Sequence, residues 1–144
     1  MSASPTARRI LVVDDDERER ASASRALAGA GHAVDTAATR AEVVSLLGQH
    51  AYDLVLSDLK MPELNGPVLY QLLRDSVRGS APPVIFALEK GFTPEYANFL
   101  MRQAAPVLMK PVPAGDLCLA VERLLPARPA SPPGVAGPAS TPLG

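Results

Sequence analysis

With Cys118 as its single cysteine, the chain cannot build an intramolecular disulfide framework. The place of Cys118 in an apolar repeat marks it as a small packed hydrophobe rather than a nucleophile. A reducing compartment fits. No stretch gathers lysine and arginine into a cluster, and a net charge of −1 with a pI near 6.1 leaves no electrostatic footprint for nucleic acid. No apolar run approaches the roughly 20 residues that a membrane span requires. The N-terminus MSASPTARR also lacks the apolar core of a secretory signal, so the expected location is cytoplasmic, with neither membrane nor nucleic acid as a partner. Aromatic residues are few: three tyrosines, three phenylalanines and no tryptophan, with Phe92, Tyr96 and Phe99 gathered in one stretch.

What is present is enough for one ordinary core. The 144 residues are 47% hydrophobic and 20% charged, which suits one compact domain with tails and is too short for two full domains. Apolar runs that read as buried strands occupy Ile10 to Val13, Leu54 to Leu56, Val84 to Ala87 and Val107 to Met109, with a weaker one from Ala33 to Ala37. Between them, helical spacing appears at Ala21 to Leu27, Val43 to Leu47, Val68 to Leu73, Tyr96 to Met101 and Leu117 to Leu125. Gly29 and Gly31 stop the first helix, Thr39 with Glu42 has the form of a capping box, and Thr93-Pro94 looks like a helix start. Strands joined by helices run parallel, and right-handed crossovers cover both faces of the sheet. The expected fold class is therefore α/β, a doubly wound (βα)5 sheet of five parallel strands. The domain is expected over residues 8–125, after a flexible N-terminus of residues 1–7. From Pro126 to Gly144 the composition turns to Pro, Ala, Ser and Gly, as in a disordered tail or linker.

The charged residues fall where such sheets bind ligands, at the carboxyl ends of the strands. Asp14, Asp15 and Asp16 follow the first strand, Asp58 ends the third, and Lys110 follows the fifth. One charged residue at a strand end is ordinarily the solvated start of a loop. Three strand ends converging on one edge are another matter. Carboxylates so gathered repel one another and titrate as a set, which calls for a hard cation. Mg²⁺ (or Mn²⁺) suits oxygen-only ligands and bridges to phosphoryl oxygens, and Lys110 adds a compact positive charge for the same anion. A carboxylate attacking phosphorus forms an acyl phosphate, so the constellation suits phosphoryl transfer.

Ile10-Leu-Val-Val-Asp-Asp-Asp, Asp53-Leu-Val-Leu-Ser-Asp58-Leu-Lys-Met-Pro and Lys110-Pro111 together resemble the receiver domain of bacterial two-component response regulators, the CheY-like fold. The resemblance runs from about Arg8 to Leu125. It implies Asp58 as phosphoacceptor, Asp15, Asp58 and the Lys60 carbonyl as direct metal ligands, and Asp14 acting through water. Lys110 would pair with the phosphoryl group, and Lys110-Pro111 would be a cis peptide. The donor would be a phosphohistidine on a sensor histidine kinase or a histidine phosphotransfer protein. The chain would then catalyse only its own phosphorylation and dephosphorylation rather than turn over a substrate.

Two positions depart from the family. Receivers carry Ser or Thr at the end of the fourth strand, and here that position falls on Leu88, or on Ala87 if the register slips by one. The aromatic residue expected three positions before the lysine is Val107. Loss of one neutral hydrogen bond, about 1 kcal/mol, leaves acceptance intact but blunts a two-state response. Phe92 to Phe99 is the candidate surface for a homodimer or an effector. Two other readings compete. A receiver-like interaction module that works without phosphorylation fits the missing hydroxyl, whereas the complete set of Asp14, Asp15, Asp58 and Lys110 opposes it. A haloacid-dehalogenase-type phosphatase fits Asp14-Asp15-Asp16, but Glu17 and Arg18 follow where a small or hydroxyl residue is usual.

Overall fold

The computed structural model describes residues 7–76, 80–89 and 94–125. The alternation of apolar strands and helical segments resolves into β1 (Arg9–Val13), α1 (Glu17–Gly29), β2 (Ala33–Ala37), α2 (Arg40–Gln49) and β3 (Leu54–Asp58). Two short strands follow, β4 (Lys60–Met61) and β5 (Leu64–Asn65), then α3 (Gly66–Ser76) and β6 (Val84–Leu88). A single 3₁₀ turn (Pro94–Tyr96) leads into α4 (Ala97–Gln103), and β7 (Val107–Met109) and α5 (Ala114–Leu124) complete the order. The main sheet has five parallel strands in the order β2-β1-β3-β6-β7. The sheet is thus the doubly wound one that the sequence led us to expect.

Successive side chains of a strand point to opposite faces, and this alternation sorts the core into two clusters. Leu11, Val13, Val55, Val84, Phe86 and Leu88 face α2, α3 and α4, where Val43, Leu47, Leu69 and Leu73 meet them. Ile10, Val12, Leu54, Leu56, Ile85 and Ala87 face α1 and α5, through Leu27, Leu117 and Val121. Each fully buried leucine or isoleucine contributes on the order of 1.5–3 kcal/mol relative to an exposed one.

Local chemistry sets the element ends. Asp16 caps α1 by accepting from the Glu19 amide at 3.0 Å, so the helix starts a full turn before its apolar spacing begins at Ala21. The chain leaves α1 through Gly31, whose φ of +98° suits a residue without Cβ. Thr39 accepts from the Glu42 amide at 3.2 Å, and the Glu42 carboxylate accepts in return from the Ala38 amide at 2.6 Å. An antiparallel β4–β5 pair, Lys60 opposite Asn65 and Met61 opposite Leu64, occupies the link between Asp58 and α3. Strands of two residues are too short for any periodicity to reveal. The expected Thr93 cap and the tail from Pro126 lie outside the described residues, as does all of the N-terminal segment except Ala7.

Candidate functional site

Strand register brings the predicted residues together. β1 and β3 pair with Val13 opposite Ser57, so Asp14 and Asp58 leave adjacent strands side by side. A ligand oxygen from each of Asp14, Asp15 and Asp58 lies within 4.8 Å of the others. Asp14 is buried at 6% exposure and is held from several sides. Its amide donates to the Ala37 carbonyl at 3.1 Å, and its Oδ1 accepts from the Asp16 amide at 2.9 Å. Its carbonyl accepts from Arg20 Nη1 at 2.8 Å. Asp15 is exposed at the rim.

Lys110 follows β7, with its amide donating to the Leu88 carbonyl at 2.6 Å and its peptide bond to Pro111 cis. Its ammonium is buried against carboxylates. Nζ donates to Asp14 Oδ2 at 3.0 Å, lies 3.6 Å from Asp58 Oδ2, and pairs with Glu19 Oε1. Burial works against the charge of Lys110, but the hydrogen bonds to Glu19 and Asp14 outweigh it and hold its pKa above the ordinary lysine range. Burial raises the Asp58 pKa, and the attraction of Lys110 and the Lys60 amide, which donates to Oδ1 at 3.3 Å, only partly offsets that. Burial also raises the Glu19 pKa. Carboxylates outnumber cations at this edge, and their oxygen-only donor set suits a hard divalent ion.

The loop after Asp58 is ordered by its own bonds. The Gly66 amide donates to the Leu59 carbonyl at 3.0 Å, and Asn65 Oδ1 accepts from the Val68 amide at 3.0 Å, opening α3. Lys60 itself is exposed. Beside the site, Asp58 stands opposite Ala87, which lines a cavity reaching the acidic cluster. Leu88, one residue further, packs into the other cluster, opposite Met109. Val107 lies opposite Phe86 and is 37% exposed.

Two features went unread in the sequence. Glu19 reaches the site from the first turn of α1. Asp16 followed by Glu19 has the spacing of a capping pair, but the Asp16 amide is taken by Asp14 Oδ1 and the Glu19 carboxylate instead meets Lys110. Second, Tyr96 and Phe99 do not turn their rings outward from α4. Phe99 packs edge-on against Phe86 and Tyr70, with ring centroids 5.7 and 5.1 Å apart, and Tyr96 rests on the same core. Phe92 lies outside the described residues. The most exposed large apolar side chains near by, among the described residues, are Met101 at 79% and Met109 at 51%, with Val107 beside them. Neither histidine joins the site: His32 Nδ1 accepts from the Arg8 amide at 3.0 Å, and His50 Nε2 lies 3.4 Å from Arg9 Nη2. Among the described residues, no helix is long and apolar enough to cross a membrane.

Comparison with known proteins gives this geometry a context. The family model of the response regulator receiver domain matches residues 10–122. Response regulator Rre1 of Synechocystis is 32% identical over 117 residues, which cover 81% of this chain and 51% of that protein. The DNA-binding transcriptional regulator NtrC of Escherichia coli is 32% identical over 116 residues, 81% of this chain and 24% of that one. This chain thus spans about half, or less, of the curated relatives it matches. Among solved structures, chemotaxis protein CheY4 of Vibrio cholerae superposes with a TM-score of 0.71 at 25% identity, covering 86% of this chain and 100% of that one. NtrX of Brucella abortus gives 0.70 at 28% identity, over 83% of this chain and 26% of that one.

Proposed function

This chain belongs to the response regulator receiver domain family of two-component signalling, and from that premise we propose that Asp58 accepts a phosphoryl group from a histidine kinase or a histidine phosphotransfer protein. The observation that carries the reading is the meeting of Asp14, Asp15 and Asp58 within 4.8 Å, with Lys110 in the same cluster. Receiver domains use Mg²⁺ and work with histidine kinases, and they are not a catalytic enzyme family. A phosphatase turning over external esters is therefore set aside. Asp15, Asp58 and the Lys60 carbonyl would hold the ion, with Asp14 acting through water. The bound ion would supply charge neutralisation for the transferring phosphoryl oxygens.

The residues of the chain do the remainder. A carboxylate oxygen of Asp58 attacks phosphorus as the bond from phosphorus to the donor nitrogen breaks, and the donor ring, already protonated on its other nitrogen, leaves as neutral imidazole. Lys110, already buried 3.6 Å from Asp58, pairs with the phosphoryl oxygens. The burial of Lys110 keeps its positive charge in place before the donor arrives, and Asp14 holds that ammonium through its Oδ2. The switch is altered, since neither Leu88 nor Ala87 carries a hydroxyl and Val107 stands at the aromatic position. A cytoplasmic location accompanies this reading. A homodimer or effector contact on α4 would use the outward side bearing Met101.

The test is intact-protein mass after incubation with Mg²⁺ and phosphoramidate, comparing the native chain with Asp58→Asn. A labile gain of about 80 Da in the native chain alone, abolished by EDTA, is the expected result. No gain under conditions that label another receiver makes the phosphorylation-independent interaction module the better reading.

A further inference from the structure

The lysine ammonium has three N–H donors, and in this chain three carboxylates surround it: Asp14, Asp58 and Glu19. They are not equivalent. Asp14 and Asp58 come from strand ends and belong to the acidic cluster, with side chains only 9% and 13% exposed. Glu19 comes from a helix, stands outside that cluster, and has a side chain 36% exposed. Its backbone is fixed in the capped first turn of α1, while its longer side chain already borders water and can swing outward by rotation of its own bonds. Once out, the carboxylate remains in the first turn of α1, where the helix dipole favours negative charge.

A phosphoryl group on Asp58 brings a near-dianion to within reach of Lys110. Lys110 is then asked to donate to phosphoryl oxygens, and the two carboxylates that could release it are unequal: the Asp14 carboxylate is buried and its other oxygen accepts from the Asp16 amide, whereas the Glu19 side chain is four times as exposed. Repulsion between the phosphoryl oxygens and the Glu19 carboxylate acts in the same direction. We propose that Glu19 is a placeholder for the phosphoryl group on Lys110, a positioning residue that must be displaced when Asp58 is phosphorylated and that thereby reports the event to α1. The raised Glu19 pKa accords with a carboxylate drawn partly out of water to make this contact.

The inference rests on Asp58 being the acceptor, and it supplies what β6 lacks. With no hydroxyl at Ala87 or Leu88, a signal leaving through that strand has no hydrogen bond to carry it. Release of Glu19 changes charge and contacts at the start of α1 instead. The fraction of molecules whose Lys110 is free to meet a donor is also reduced by Glu19, so the native chain needs more donor for the same occupancy.

The experiment follows labelling of the full chain by phosphoramidate with saturating Mg²⁺, as rate against donor concentration, for the native chain, Glu19→Gln, Glu19→Asp and the control Glu17→Gln. Glutamine removes the charge, and aspartate keeps the charge but draws it back from Lys110. Both are expected to lower the half-saturating donor concentration about fivefold with the maximal rate within about twofold of native, while Glu17→Gln leaves both parameters in place. Half-saturation that is unmoved or raised in both Glu19 variants, with the native chain labelled normally, overturns the displacement and makes Glu19 a mere anchor for Lys110. A native chain that takes no label at all overturns the acceptor reading itself and this inference with it.

Discussion

The two faces of the sheet are filled differently. On the side of α3 and α4, Tyr70, Phe86 and Phe99 pack together, one pair stacked and two edge-on, with ring centroids 5.1 to 5.9 Å apart. A Cβ on Gly66 would stand only 2.6 Å from both Leu59 Cδ1 and Phe99 Cε2. On the side of α1 and α5 the small side chains of Ala23, Ala26 and Ala87 leave a cavity of about 120 Å³ that opens upward onto Asp58 and Lys110. Aromatic pairs add about 0.5–1.5 kcal/mol each beyond the area they bury, whereas the lining of a void forfeits contacts outright. The α3 side has a cavity of its own, about 200 Å³ between Tyr70, Leu73 and Val84, but it lies away from the acidic cluster, so the site is built over the space beside the small side chains of α1 and β6. Lys110 and Glu19 line that space, and the aromatic cluster around Phe99 packs the opposite face beside Gly66.

The largest effect is expected where that contrast is sharpest. Gly66→Ala places a methyl into Phe99 and Leu59, and because a ring in a three-ring cluster has little freedom to retreat, it should cost about 1–3 kcal/mol. Urea denaturation followed by circular dichroism reads it as a lower midpoint at unchanged slope. A cost under about 0.5 kcal/mol would mean that Phe99 yields easily and that the two faces are not so different. In the opposite direction, Ala87→Val adds two methyl groups on the cavity side of a β-strand, where a branched residue is also favoured. A gain of about 0.5–1 kcal/mol is expected. A loss of that size would show that the space is not available to a side chain from β6.

The sequence made the frame legible because strand burial is written as continuous apolar runs and because parallel register carries each strand end to one edge. That is why Asp14, Asp58 and Lys110, 44 to 96 residues apart along the chain, were expected at one edge, where they meet. Three things were out of reach. The polar first turn of α1, Glu17 to Arg20, has no apolar periodicity, so the helix start and with it the reach of Glu19 went unseen. The direction in which Tyr96 and Phe99 face depends on how α4 is rotated against Phe86, and a seven-residue helix has too few turns to show a face. The cavity on the α1–α5 side is a matter of volumes between elements: an alanine reads the same whether its neighbour fills the gap or not.

The smallest effect concerns the far end of the α1–α5 face, where α1 runs out into His32. That imidazole is buried at 9% exposure, and its Nδ1 accepts from the Arg8 amide. Burial, reinforced by the nearby charge of Arg8 and only partly opposed by Glu122, lowers its pKa from the usual 6.5. The unfolded chain therefore takes up this proton more readily than the folded one, so the contribution of His32 is present in full above pH 6.5 and is lost as pH falls toward the lowered folded value. Protonation also sets an N–H against the Arg8 amide that it formerly received. His32→Asn, with an acceptor oxygen near the Nδ1 position and no proton to gain, should flatten the loss of stability between about pH 7.5 and pH 5.5. Hydrogen exchange should show the acid loosening in native α1 and α5 before α3. An identical acid profile in the variant would place the titration elsewhere, and simultaneous opening of α3 would mean that the two faces respond as one unit.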